Sequence, residues 1–256
     1  MKETRNLLNS LVLCGVTLAM VSTLAAQTAD QGVAKVVWLK GEARFSMGGN
    51  NDWQLLKAGD VVKPGMLIQT ASGSKLDIVL GDGSAPVAQA ASVSTISYRP
   101  TTEQNVVRIW ENTLLGVDKL IKTHTGADLV TETLLNLKAG HITGTVKKMS
   151  AASKYEVKIP SGVASIRGTV YDLTAEGVLK ILSGSGVMAY PGPDGTPLTQ
   201  VVNEMQQFDA HTGVLSALPE FDRVGLRTIV NQLLSGLSPV LTPVAADKTL
   251  LYVSPH

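Results

Sequence analysis

The sequence predicts a mainly β fold, a roll or sandwich of bent strands, with one amphipathic helix near the C-terminus. Three observations carry this. Short apolar runs alternate with period two: in "SKLDIVLGDGS", Leu76, Ile78 and Leu80 share one face, and Lys75 and Asp77 share the other. Three segments, "VVWLKGEARF", "LLNLKAGHITGTV" and "LKILSGSGVMAY", repeat a pattern of apolar–x–apolar, glycine within three residues, then a second strand. A glycine inside a strand pattern marks a bulge or a sharp bend where backbones come close. Finally, one stretch has clear helical spacing: Leu226, Ile229, Val230, Leu233, Leu234 and Leu237 recur at i, i+3 and i+4.

In chain order, residues 1–26 read as a signal peptide. Lys2 and Arg5 form a positive start, "LVLCGVTLAMV" is the apolar run, and "STLAA" supplies small residues for cleavage after Ala25 or Ala26. Asn9 and Ser10 cut the run short of the ~20 apolar residues that a spanning helix needs. Residues 33–99 read as strands with tight turns, among them "KPG" at Lys63–Gly65 and "DG" at Asp82–Gly83, the latter a strong hairpin cue. The span 100–136 suits a short helix or a strand, and its β neighbours favour strand. Residues 129–190 return to β-structure. After the break "PGPDGTP" comes a last hairpin and then a helix over about 219–236. Pro219 suits its first turn, Glu220 and Asp222 favour its positive end, and Gly236 and Pro239 stop it. The tail beyond it reads as extended and partly disordered.

Composition excludes several functions. Cys14 is the single cysteine and lies in the leader, so the mature chain has neither disulfide nor thiol nucleophile. Removing Lys2, Glu3 and Arg5 leaves a formally neutral protein, without the basic footprint of a nucleic-acid binder. His124, His141, His211 and His256 are scattered, with no metal-ligand spacing. No G-x-S-x-G, H-E-x-x-H or Walker loop occurs. No cofactor is expected, and no enzyme activity.

The segments "LKAGHITGTV", "KYEVKIPSGVASIRGTVYDL" and "GVLKILSGSGVMAY" together resemble the FecR domain. The upstream "AGDVVKPGMLIQTASGSKLDIVLGDGS" resembles that family's first half. The resemblance spans about residues 33–190 and is most specific at Arg167-Gly168-Thr169. It implies a FecR-like β-roll or sandwich acting as a periplasmic interaction module, with residues 191–256 as a C-terminal extension. FecR regulators carry a cytoplasmic anti-sigma domain before one membrane span. About ten residues precede the apolar run here, so the sigma-factor role is not expected to carry over.

Arg167 is the residue that a buried strand least explains. Strict alternation would put Val163, Ser165, Arg167, Thr169 and Tyr171 on one face. An unpaired buried charge is costly, so Arg167 either reaches water or has partners; Asp82 is the preferred partner, with Asp172 and Glu132 as alternatives. Arg167 with Gly168, Thr169 and Asp82 is thus expected to act as a structural pin or an interaction point. Trp38 is expected in the core, and Trp53 and Trp110 as ligand or partner contacts. The chain is expected to be an exported, non-enzymatic interaction or scaffold module of the periplasm or cell envelope, signalling being one form of that role. Its partner would be an envelope protein, with cell-wall glycan as the alternative; nucleic acid and a stable membrane span after leader cleavage are not expected.

Overall fold

The computed structural model describes residues 29–48, 52–81, 105–125 and 128–237. Seventeen strands and one helix follow in order: β1 (Ala29–Gln31), β2 (Val33–Lys40), β3 (Ala43–Met47), β4 (Gln54–Leu55), β5 (Val61–Val62), β6 (Met66–Thr70), β7 (Lys75–Gly81), β8 (Asn105–Ile109), β9 (Leu114–Thr125), β10 (Asp128–Ala139), β11 (His141–Thr145), β12 (Lys154–Ile159), β13 (Gly162–Thr174), β14 (Val178–Pro191), β15 (Pro197–Asn203), β16 (Gln206–Asp209), β17 (Val214–Ala217) and α1 (Glu220–Leu237). The ambiguous span is strand in β8, β9 and β10. The expected signal peptide, the expected turn at Asp82–Gly83 and the expected C-terminal tail lie outside the described residues.

The strands form one curled sheet, a half-barrel. From one end the order is β4–β3–β6–β9–β10–β12–β13. At β13 the sheet forks. Residues 162–165 pair with β12, whereas residues 170–174 pair with β11, which leads on through β8, β7 and β2 to β5. The other edge of β13 pairs with β14, which carries β15 and β16. β15, β16 and β17 therefore extend the same sheet.

Alternation fills the inner face. Ile68, Leu76, Ile78, Val107, Ile109, Leu115, Leu135, Leu137 and Ile142 are fully buried in one core, each contributing on the order of 1.5–3 kcal/mol through burial. Inside it, the Tyr155 and Tyr171 hydroxyls meet at 2.9 Å. Gly144 makes room for this pair, because a Cβ there would lie 2.4 Å from the Tyr171 ring. Burial, ahead of any other cause, pushes both hydroxyls well above the ordinary tyrosine range.

The three glycine segments share one bend. Gly41, Gly140 and Gly184 all have left-handed backbones, with φ of 81°, 84° and 85°. At each, the next backbone N–H donates to a hydroxyl on a neighbouring segment: Glu42 to Ser74 Oγ (2.9 Å), His141 to Thr113 Oγ1 (3.0 Å) and Ser185 to Thr169 Oγ1 (3.2 Å). The repeat is a corner clip, a glycine that lets two backbones approach and a hydroxyl that holds the turned amide.

Helix α1 packs on the outer face. Pro219 O accepts from Arg223 N, which opens the first turn. Leu233 packs with Val79 and Val106 of β7 and β8, and Leu226 with Leu182 and Leu218. Lys180 Nζ pairs with Asp222 at 3.0 Å. The helix continues through Gly236 to Leu237, past the expected stop at Gly236. Among the described residues no helix is long and apolar enough to cross a membrane.

Candidate functional site

Register places a row of polar side chains across the outer face beside α1. Trp38 on β2 stands opposite Asp77 on β7, Asp77 opposite Arg108 on β8, and Thr143 on β11 opposite both Arg108 and Asp172 on β13. Arg108 is 4% exposed. Its Nε and Nη2 donate to the two carboxylate oxygens of Asp77, each at 2.7 Å, and Nη1 donates to Gln232 Oε1 of α1 at 3.2 Å. This two-pronged geometry suits a planar guanidinium. The cation also lies 5.3 Å from the Trp38 ring and 5.9 Å from the Trp110 ring.

A second row runs alongside. Trp110 follows β8 and lies between Lys75, whose ammonium is 4.5 Å from the ring, and His141, whose ring stacks at 5.4 Å and 7°. Trp110 Nε1 donates to Thr143 Oγ1 (2.9 Å), which donates to Asp172 Oδ2 (2.7 Å); His141 Nε2 is 2.6 Å from the same oxygen. The cluster is thus a fixed frame of ion pairs and hydrogen bonds carrying a half-exposed rim of Trp38, Lys75, Trp110 and His141.

Trp38 corrects the sequence expectation. It is 39% exposed, not core. A register shift between Val36 and Trp38 turns it out: Val36 is fully buried, whereas Trp38 stands opposite Asp77 on the outer side. Trp110 is in the cluster, but β7 and β11 flank β8, so Lys75 and His141 cover its two faces. Trp53 lies apart from them, half-buried, with the Arg44 guanidinium 4.7 Å from its ring.

Along β13 the strict alternation does not hold. Gly168 has φ +59° and the β13–β14 register shifts between Arg167 and Val170. This bulge breaks the alternation, so Arg167 is exposed while Tyr171 points into the core. Arg167 Nη2 donates to the Ala151 carbonyl at 2.9 Å. Asp82 lies outside the described residues. Asp172 is held by His141 and Thr143, and Glu132 by Lys119 at 3.0 Å. Arg167-Gly168-Thr169 occupies the fork of β13: Arg167 reaches the β11–β12 connection, Val146 N donates to Thr169 O (2.8 Å), and Thr169 Oγ1 is the third corner clip.

Sequence reasoning missed Arg108, Asp77 as its partner, and the His141–Asp172 contact. Each depends on strand register between distant segments. The one local signal was Arg108 within "NVVRIW", a cation in an otherwise apolar run. Among the described residues no three His, Cys, Asp or Glu side chains are placed to hold a metal ion.

No family model matches the chain, and no curated protein matches it. Two solved structures of a "putative anti-sigma factor" from Parabacteroides distasonis are similar over 44% of this chain, at 13% identity and TM-scores of 0.33 and 0.32. The match spans 49% and 50% of their chains, about half their length. A likeness at that level bears on neither family nor activity.

Proposed function

We propose that this protein is an exported, non-enzymatic module of FecR type that recognises an envelope protein through the outer face of its sheet. One observation carries the reading: the Trp38–Lys75–Trp110–His141 rim stands on a frame already fixed by Arg108–Asp77 and by Asp172. Tryptophan is among the side chains that concentrate binding energy at interfaces. A rim held in place by its own frame loses little entropy on binding. The leader-like N-terminus and the FecR-like motifs supply the proposed location and class.

The test is a photo-activated cross-linking residue placed at Trp38 or Lys75, with Lys119 on β9 as the control position. A discrete protein adduct at 38 and 75, absent at 119, is the expected result. Adducts at all three positions, or at none, would count against the outer face. Trp53, half-buried in a polar loop, favours glycan as a second reading. Quenching of tryptophan fluorescence by soluble cell-wall fragments, lost in Trp53→Ala, would select it.

A further inference from the structure

Among the described residues, β1, β4, β5, β15 and β17 are each bonded to a neighbour on one side only. Four of these edges are short: β1 has three residues, β4 two, β5 two and β17 four. A very short edge offers little to a passing chain. β15 is the exception, seven residues bonded to β14 alone.

Register shows which backbone groups β15 leaves open. Gly192 N donates to Thr196 O at 2.7 Å. Backbone groups alternate in direction along an antiparallel strand. Leu198, Gln200 and Val202 therefore turn theirs to β14, and Pro197, Thr199, Val201 and Asn203 turn theirs to the open edge. Two contacts agree: Asn203 N donates to Gln206 Oε1 (2.9 Å), and Gln200 Nε2 donates to Val201 O (2.8 Å). The N–H and C=O of Thr199 and the N–H of Val201 stay open among the described residues.

Nothing along the strand guards this edge. Edge strands are ordinarily protected by charge, proline or a bulge. "PLTQVVN" carries no charge, and its proline stands only at the first position. The β14–β15 register runs without a shift from Ser185–Asn203 to Pro191–Pro197. The nearest charges in sequence, Asp194 and Glu204, lie in the turns at its two ends. On one face Val201, 50% exposed, stands opposite Val187, 37% exposed.

We propose that β15 pairs with β15 of a second copy of this chain, antiparallel about a two-fold axis at Gln200. An uncharged strand gives a charged partner nothing to recognise, whereas a two-fold pairing meets each open group with its own counterpart. The strand is self-complementary in that register: Thr199 stands opposite Val201 of the second copy, and Leu198 opposite its Val202. Pro197, which lacks an N–H, stands opposite its Asn203, whose N–H is already held. Thr199 and Val201 exchange backbone bonds with Val201 and Thr199 of the second copy, and the Gln200 amide gives up the Val201 carbonyl. Val187 and Val201 then continue into Thr199 and Ala189 of the second copy as one outward row. This interface uses other strands than the outer-face rim and does not depend on it.

Sedimentation equilibrium of the purified full chain, with Cys14→Ser, tests the pairing. A monomer–dimer equilibrium with a dissociation constant below about 100 μM is expected, the range of a small interface. Val201→Lys sets a charge on the edge and should weaken it at least about tenfold with an unchanged circular dichroism spectrum. Oxidation then reads the register. Gln200→Cys meets itself at the axis, at the ~4.5 Å Cα separation of a non-hydrogen-bonded pair, and should form a disulfide-linked dimer. Leu198→Cys, on the same face and more exposed, stands opposite Val202 of the second copy, out of reach of its own counterpart, and should not. A monomeric wild type, which would leave the edge to another occupant, would overturn the proposal. So would unchanged dimerisation in Val201→Lys, or cross-linking of Leu198→Cys as fast as that of Gln200→Cys.

Discussion

Arg108 and Arg167 are both arginines inside β-strands, and they live under opposite conditions. Arg108 is enclosed, gripped by both oxygens of Asp77 and by Gln232 of the helix. Arg167 is exposed and donates to one backbone carbonyl. The conspicuous arginine, the one in the family-like motif, lies at a bulge where the strand changes partners. The inconspicuous one organises the outer face. A guanidinium's importance to the fold follows its enclosure and the number of bonds it makes more than its prominence in the sequence.

The largest effect that would sharpen this contrast is at the enclosed pair. Asp77→Ala strands a buried cation and should lower stability by about 3–5 kcal/mol, read by urea denaturation. Replacing both partners, as Asp77→Leu with Arg108→Met, should cost much less, because neither charge is then left alone. A double variant as unstable as the single one would refute the pair as the cause.

At the bulge, the backbone rather than the arginine should dominate. Gly184→Ala meets a left-handed backbone and would set a Cβ 2.5 Å from Gly168 O, so a loss of about 1–3 kcal/mol is expected. Gly168→Ala shares the left-handed strain, but its Cβ would meet Lys148 Cγ at 3.2 Å and Lys148 Cα at 3.4 Å, so it should cost less. The ranking of the two in thermal melts checks the corner clip; Gly168→Ala as the worse of the pair would break it.

The buried tyrosines give a third, uncharged term. Their folded pKa values are raised by burial. Stability from keeping them neutral is therefore complete below the unfolded value of ~10 and falls as pH rises above it. Tyrosinate absorbance should show two hydroxyls that ionise only with unfolding. Tyr155→Phe should cost about 1 kcal/mol at neutral pH and flatten the alkaline decline. An unchanged alkaline transition in that variant would contradict the assignment.

Arg167→Ala should do least, about 0.5 kcal/mol, as expected of an exposed side chain. A loss comparable to that of Asp77→Ala would restore Arg167 as the principal pin.

Much of this was legible in the sequence. Period-two runs gave the core faces of β7, and the leucine stripe gave α1 and the side it buries. The repeated glycines located three bends. Their hydroxyl partners Ser74, Thr113 and Thr169 were not legible, because each comes from a segment chosen by register. The same holds for Arg108 with Asp77 and for His141 with Asp172. Alternation along β13 misled at Gly168, and along β2 at the shift before Trp38. One extra residue in a strand reverses every face that follows, and only neighbouring strands reveal it.

On the proposed reading, binding belongs to the rim that Arg108 supports. Its most direct test is the affinity of the cross-linked partner, once purified, for four forms of the protein: wild type, Trp38→Ala, Lys75→Glu and Arg167→Ala, each verified as folded. Binding at least about tenfold weaker is expected for Trp38→Ala and Lys75→Glu, and wild-type affinity for Arg167→Ala. Loss of binding in Arg167→Ala alone, with both rim variants intact, would contradict it.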